Sequence, residues 1–194
     1  MADSNITKHA LAESLKKLME ENPFDKINVG DICEKCGMNR KSFYYHFRDK
    51  YDLVNWIFDT EFILAMSNKK PSENAWNFME RLLEYLYNHR DFYRKALKIE
   101  GQNSFPEHFQ EVLISVVGEY INENVIFNSV RSGKSCSEKE KDFYSFFIAD
   151  GIVCAIKRWI LDKNCIEPNE FLELIHSCIT GMAEKVYNET KTED

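Results

Sequence analysis

The chain of 194 residues contains only 7 glycines and 4 prolines. These residues interrupt helices and end strands, so their scarcity leaves long uninterrupted segments. No segment sustains the alternation of apolar and polar residues that is typical of half-buried strands. The two absences favour a nearly all-helical protein, and a hydrophobic content of 44% is enough for well-buried cores.

Six cysteines are present, but their spacing does not favour a zinc or disulfide site. Cys33 and Cys36 form the only C-x-x-C pair, whereas a zinc ribbon needs a second pair nearby. Both fit better as small apolar residues in the core of a helix. The other four are scattered, and we expect them to be reduced. The sequence therefore predicts no metal and no cofactor.

Signals for targeting, for crossing a membrane and for common enzyme chemistry are also missing. The N-terminus lacks a charged start followed by an apolar block, and Asp150 interrupts the longest apolar stretch, residues 143–156. We therefore expect a cytoplasmic protein without membrane contact. H-E-x-x-H, a phosphate-binding loop and G-x-S-x-G are absent, so an enzyme is not expected.

The formal net charge of -7 is unusual for a nucleic-acid binder, because phosphate contact normally requires a basic surface. The charge is unevenly placed, however. Residues 1–52 carry 9 basic and 9 acidic side chains, and the remainder carries the whole excess of acid. Residues 35–50 hold five basic residues and one acid. This local basic segment is the one part of the chain that suits a polyanion.

The same segment lies within two short predicted helices joined by a tight turn. Apolar or small residues in the first helix recur at i, i+3, i+4 and i+7: Val29, Ile32, Cys33 and Cys36. Asn28 and Asp31 are placed as a variant of the capping box, and Gly37 supplies the left-handed conformation that ends a helix before a turn. Asn39 is placed to cap the second helix.

On the second helix, Phe43 and Phe47 are four residues apart and are expected to face the core. The remaining faces carry side chains suited to phosphates and base edges: Arg40, Lys41, Ser42, Tyr44, Tyr45 and His46. A short helix of this kind fits the major groove of double-stranded DNA. The pattern therefore predicts a helix-turn-helix DNA-binding domain.

Periodicity over the whole chain predicts about nine helices with short connections. Those outside the two-helix segment are expected near residues 7–21, from residue 50 towards the break at 68–74, and near residues 75–88, 91–98, 106–124, 143–161 and 171–187. In the first of these, Ala10, Leu11, Leu15 and Leu18 share one face; in the second, Leu53, Val54, Ile57, Phe58 and Phe62 do. Breaks are predicted at residues 68–74 and 128–138.

The last two predicted helices indicate self-association. Apolar residues of the helix at 143–161 point all round its axis, so every side must be covered. Gly151 permits close approach of another helix. A two-fold homodimer that buries these helices is the favoured interpretation, since it would also duplicate the DNA-binding domain. A thick monomeric core is the alternative.

Residues 7–54, and above all residues 37–50, resemble the DNA-binding domain of TetR/AcrR-type transcriptional regulators. The similarity lies in an aromatic residue, Tyr, any residue, His, an aromatic residue and then Lys50 at the start of the next helix. The helical remainder is similar in layout to that family's ligand-binding and dimerisation domain. Residues 151–159, followed by Glu167 and Pro168, also resemble a subgroup that includes regulators of dihydroxyacetone kinase operons.

The resemblance and the helix positions together assign roles. Arg40 and Lys41 lie in the first helical turn, where base edges are reached most easily. By resemblance, Tyr44 touches a base or a thymine methyl group, and phosphates are held by Ser42, Tyr45, His46 and Lys50. The alternative for His46 is a cap or a packed side chain, and for Tyr45 a surface aromatic. Residues 1–52 are predicted to bind DNA, and residues 53–194 to bind an effector and dimerise.

The identity of the effector is not encoded in any recognisable motif. Aromatic residues such as Trp56, Trp76 and Tyr85 could line a cavity, but in helices of this kind they are more often plain core. His89, Asn103, His108 and Gln110 are polar candidates for orienting a small molecule. The alternative function is a transcriptional activator whose C-terminal domain docks a partner protein instead of a small molecule.

Overall fold

A computed structural model describes residues 2–66, 75–101, 104–124 and 138–191 of the protein. These residues form nine α-helices and one 3-10 helix and include no strand. The α-helices are α1 (Ala2–Glu21), α2 (Val29–Lys35), α3 (Arg40–His46), α4 (Lys50–Met66), α5 (Ala75–Asn88), α6 (Arg90–Ala96), α7 (Phe105–Asn124), α8 (Glu138–Leu161) and α9 (Pro168–Lys191); the 3-10 helix is Phe24–Lys26. The predicted all-α class and the predicted number of helices are confirmed.

Most helix boundaries lie close to their predicted positions, and most differences are extensions; α6 instead ends at Ala96, two residues before its predicted end. α1 begins before the predicted Thr7, α8 begins at Glu138 instead of residue 143, and α9 continues to Lys191. The apolar pattern on which the predictions rest marks only the turns that are buried, so polar terminal turns escape it. The predicted break at 68–74 and the predicted loop up to residue 137 lie outside the described residues.

The chain divides into two compact units. The first comprises residues 1–65 and 89–109, and the second comprises residues 66–88 and 110–194. This division differs from the predicted functional boundary between residues 52 and 53, because the first unit also takes in most of α4, all of α6 and the start of α7. No helix in the described part of the chain is long and apolar enough to cross a membrane.

In the first unit, α1 packs against α2, α3 and α6 through a face centred on Leu11 and Leu15, both fully buried. Elsewhere on α1 the buried residues differ from the predicted ones. Met19 is buried, whereas the predicted Leu18 and Ala10 are only half-buried. Adjacent apolar residues such as Leu18 and Met19 satisfy the periodicity almost equally, so the packing partners decide which of them is buried.

The predicted face of α4 is confirmed: Leu53, Val54, Ile57, Phe58 and Phe62 are all buried. Phe58 is the centre of an aromatic cluster within the first unit. Its ring lies 5.1 Å from that of Phe62, 5.3 Å from Phe109 and 5.6 Å from Phe105, measured between ring centroids. These separations are typical of favourable aromatic pairs, so the cluster fixes α4 against α7.

In the second unit, Trp159 organises the corner between α8 and α9. Its indole stacks on Phe171 with a centroid separation of 4.7 Å, and Nε1 donates a hydrogen bond to Ile166 O at 2.9 Å. The hydroxyl of Tyr87, on α5, donates to Glu167 at 2.7 Å. The indole N–H is thereby satisfied although the side chain is buried, and the corner is tied to α5.

Candidate DNA interface

The start of α2 is fixed by the capping box that the sequence predicts. Asp31 N donates to Asn28 Oδ1 at 3.2 Å, and Asn28 N donates to Asp31 Oδ2 at 2.8 Å. The reciprocal bonds satisfy two amides that no helical carbonyl can reach. The direction in which the chain enters α2 is therefore set locally.

The turn between α2 and α3 is fixed by Gly37, which has φ +69°. Gly37 N donates to Glu34 O at 3.1 Å, and Met38 N donates to Cys33 O at 2.8 Å. These two bonds form a Schellman motif, which requires the left-handed conformation at the glycine position. The predicted left-handed stop is confirmed, and it determines the angle between the two helices.

α3 presents one face to the core and the other faces to solvent. Ser42 N donates to Asn39 Oδ1 at 2.9 Å, so Asn39 is the predicted cap. Phe43 and Phe47 are buried, with ring centroids 5.8 Å apart. The inward direction of both phenylalanines is therefore confirmed, and it forces the intervening side chains outward.

The predicted DNA contacts differ in their exposure. Arg40 and Lys41 are exposed in the first turn, and Tyr44 and Tyr45 are 58% and 82% exposed. Tyrosines usually bury much of their ring, so two exposed on one short helix are available to a partner. Arg40 and Lys41 are exposed on the same helix, so its solvent side combines cationic and phenolic groups.

Ser42 and His46 are half-buried and already have neighbours. Ser42 Oγ donates to the capping Asn39 Oδ1 at 3.2 Å. The His46 ring meets Tyr45 edge-on, with centroids 4.9 Å apart, and also lies against Phe47. Both side chains therefore support the helix and its exposed tyrosine, and their predicted phosphate contacts stay a prediction.

Lys50 extends from the start of α4 toward the 3-10 helix. Its Nζ donates to Phe24 O and to Ile27 O, both at 2.7 Å, and lies 4.3 Å from the centroid of the Phe24 ring. Burial lowers the pKa of this ammonium, while Asp25 and Asp31 act to raise it. Two of its three N–H donors are thus used inside the first unit, which leaves one for the predicted phosphate contact.

Replacing Lys50 with methionine is expected to lower the free energy of unfolding by about 1 to 3 kcal/mol, because Ile27 O loses a charged donor while the aliphatic stem is kept. Urea denaturation followed by circular dichroism measures this loss. Lys41→Met, at an exposed position, is the matched control and should stay within about 0.5 kcal/mol of the parent. Equal stability of both variants would mean that water replaces the ammonium at these carbonyls.

Cys33 has the core position that the sequence predicts, whereas Cys36 is only half-buried. Cys33 is buried, and burial raises the pKa of its thiol. Cys36 Sγ donates to Ile32 O and Cys33 O within α2, at 3.3 and 3.4 Å. Metal ligation and redox chemistry need a thiolate and therefore a lowered pKa, the opposite of what Cys33 has. Within the described residues, no three potential ligands are grouped to hold a metal.

Sequence reasoning missed two residues at this surface. Arg48 follows shortly after α3, is 80% exposed and pairs with Asp52 at 3.5 Å. It lies in the basic segment 35–50, which could have indicated a phosphate contact, but it is not part of the pattern from which the DNA contacts were predicted. Gly30 is the second residue, because glycine in a helix is intrinsically unfavourable and the motif gives it no role. A side chain at Gly30 would collide with Arg40, which no sequence pattern indicates.

The second unit contains an apolar groove of about 290 Å³ between α8 and α9. Its lining is almost entirely apolar: Phe147, Ile148, Gly151, Ile152, Ala155, Phe171, Leu174, Ile175, Cys178 and Ile179. Leu174 is 58% exposed, and a Cβ on Gly151 would meet nothing within 4 Å. Large apolar side chains on an open groove mark a surface that another molecule covers.

Comparison with known proteins identifies both parts of the chain. Residues 12–57 match the family described as "Bacterial regulatory proteins, tetR family", and residues 73–181 match the "Transcriptional regulator C-terminal region" of that family. The HTH-type dhaKLM operon transcriptional activator DhaS of Lactococcus lactis subsp. lactis (strain IL1403) is 29% identical over 168 residues, which are 86% of either chain.

Solved structures share the fold over nearly the whole chain. A dihydroxyacetone kinase operon activator, DhaS, superposes with a TM-score of 0.69 at 22% identity, covering 92% of this chain and 97% of the other. A TetR transcriptional regulator from Streptococcus agalactiae 2603V gives 0.64 at 16% identity, covering 92% and 96%. The protein is therefore a DNA-binding transcriptional regulator of the TetR family, with DhaS-like relatives, and not an enzyme.

Proposed function

We propose that the protein binds an inverted-repeat operator as a homodimer, with α3 of each protomer in the major groove, and that a ligand in the C-terminal domain modulates the affinity. The observation that carries this proposal is the division of α3 into a buried face, Phe43 and Phe47, and an exposed cationic and phenolic face. In this proposal residues 1–52 read DNA, and residues 53–194 dimerise and bind the effector.

Within α3, Arg40 and Lys41 read base edges, and Tyr44 contacts a base or a thymine methyl group. Arginine can donate two parallel hydrogen bonds to one guanine, which gives it the sharpest base preference. Ser42, Tyr45, His46 and Lys50 hold phosphates, and we add Arg48 because of its exposure. Phosphate contacts position the protein without reading sequence.

Arg40→Ala is expected to cost about 1 to 3 kcal/mol on a specific operator and to relax the preference at one base pair in each half-site. Arg48→Ala is the matched control. It should weaken all sequences alike and reduce the salt slope of binding by about one. Fluorescence anisotropy on specific and random duplexes across salt concentrations measures both. Identical losses for the two variants on both duplexes would refute the division of roles.

The apolar groove between α8 and α9 supports the homodimer. A protomer and its two-fold copy would each place the exposed Leu174 and Gly151 against the other, so both grooves are filled by one contact. Two linked DNA-binding units then bind two half-sites about one helical turn apart.

The effector acts by preferring one state of the dimer over another, since a ligand with equal affinity for both changes nothing. Of the polar candidates, His108 Nε2 lies 2.6 Å from Asp59 Oδ1, and Gln110 Oε1 accepts from Lys157 at 3.2 Å. Asn103 lies outside the described residues. These bonds are the polar groups that a ligand would have to replace or extend.

A second candidate function is activation of transcription by docking a partner protein on the C-terminal domain. Two observations favour it: relatives are named as operon activators, and Phe143 and Phe146 on α8 are each 60% exposed. Measuring operator affinity with dihydroxyacetone, and separately with proteins retained from cell extract, distinguishes the two functions. A small-molecule effector changes operator affinity in the absence of any other protein. A partner protein is indicated if the affinity changes only when that protein is present.

A further inference from the structure

Gly30 occupies the second position of α2, where alanine would form a helix more readily. Its missing side chain leaves room that another residue uses. A Cβ at Gly30 would lie 2.6 Å from Arg40 Nη2 and 3.2 Å from Arg40 Nε. Carbon atoms in contact are normally about 3.5 to 4.0 Å from their neighbours. The guanidinium of Arg40 therefore lies in the space that any other residue at position 30 would fill.

This placement restricts a side chain that is otherwise free to move. Arg40 is exposed at the first position of α3, and a long exposed arginine normally samples many rotamers. The distances of Nη2 and Nε from position 30 nevertheless place the guanidinium beside α2.

We propose that Gly30 is a positioning residue for DNA recognition: it lets the Arg40 guanidinium lie against α2 and so sets the direction from which that group meets a base edge. The inference rests on the proposed function, in which Arg40 reads a base. Bidentate hydrogen bonding needs a defined orientation of the guanidinium plane. A shift of that plane therefore changes base preference more than it changes the attraction for phosphates.

A competing explanation acts through the helix cap. The same Cβ would lie 2.8 Å from Asn28 Oδ1, the atom that caps α2. A disturbed cap would change stability whether or not Arg40 is present. The two explanations are therefore separated by testing the glycine substitution with and without the arginine.

The experiment compares Gly30→Ala, Arg40→Ala, the double variant and the parent by selection of bound sequences from random duplex DNA. Gly118→Ala is the matched control, since a Cβ there meets nothing within 4 Å. We expect Gly30→Ala to change the preference by about 10-fold at the base pair that Arg40→Ala relaxes, and at no other. Thermal melting should show the variant folded, because the Arg40 atoms are the mobile end of a side chain and a weakened cap at Asn28 costs only about 1 kcal/mol.

In the Arg40→Ala background, Gly30→Ala should leave the selected sequence unchanged. Nuclear magnetic resonance of the Arg40 Nε–H in the free protein gives a readout without DNA, and Gly30→Ala should shift it while Gly118→Ala does not. The inference is overturned if the selected sequence or the Nε–H signal is unmoved, or if the change persists without Arg40. If Arg40→Ala itself leaves the preference intact, the proposed function of Arg40 fails instead.

Discussion

Replacing Leu174 with glutamate is expected to separate the proposed dimer into monomers and to weaken operator binding by about 100-fold or more, because each DNA-binding unit would then bind its half-site without the benefit of the other. Leu174 lines the apolar groove and is 58% exposed, so the folded monomer accommodates the carboxylate in solvent. In the dimer the same carboxylate would be buried without a partner, which is strongly unfavourable. Analytical ultracentrifugation and anisotropy titration measure the two effects.

Leu161→Glu is the matched control for this substitution. Leu161 lies at the end of α8, is 37% exposed and does not line the groove. Its variant should keep the dimer and the parent's operator affinity. A Leu174→Glu protein that remains dimeric, or a monomer that binds the operator as tightly as the parent, would refute the proposed interface.

Phe43→Ala is expected to lower the free energy of unfolding by about 3 to 5 kcal/mol. The side chain is fully buried and lies against Phe47, so its removal leaves a cavity where α3 meets the core. Against a total stability of about 5 to 15 kcal/mol, this loss is large enough to release α3. Urea denaturation monitored by circular dichroism gives the stability, and DNA binding should fall with the folded fraction.

Tyr45→Ala, two residues along the same helix, is the matched opposite. Tyr45 is 82% exposed, so its removal should change stability by no more than about 0.5 kcal/mol. Operator affinity should nevertheless fall by about 10-fold, because a hydrogen bond to a charged phosphate is lost. If Tyr45→Ala were the more destabilising variant, or if it bound DNA like the parent, the assignment of faces on α3 would be wrong.

Local chemistry explains why much of the fold follows from the sequence. The capping bonds of Asn28 and Asn39 and the left-handed Gly37 involve residues within five positions of each other, so residue type and spacing suffice to predict them. The buried face of α4 follows from the helical spacing of Leu53, Val54, Ile57, Phe58 and Phe62. Such features do not depend on how distant segments pack.

Features that depend on distant partners were not predictable in the same way. Lys50 bonds to carbonyls of the 3-10 helix and of Ile27, which precede it by more than twenty residues. The burial of Met19 in place of Leu18 depends on the helices packed against α1. The contact between Gly30 and Arg40 depends on one side-chain conformation. Sequence patterns describe neighbours along one helix, whereas these contacts depend on how different helices pack against each other.

Selection of bound sequences from random duplex DNA by the purified full-length protein tests the central claim most directly, namely that the exposed face of α3 reads DNA from each half of a dimer. We expect the selected sequences to converge on an inverted repeat, with half-site centres about one helical turn apart and a preference that Arg40→Ala relaxes. Recovery of no common sequence at modest ionic strength, or of a motif that Arg40→Ala and Tyr44→Ala both leave unchanged, would contradict the claim.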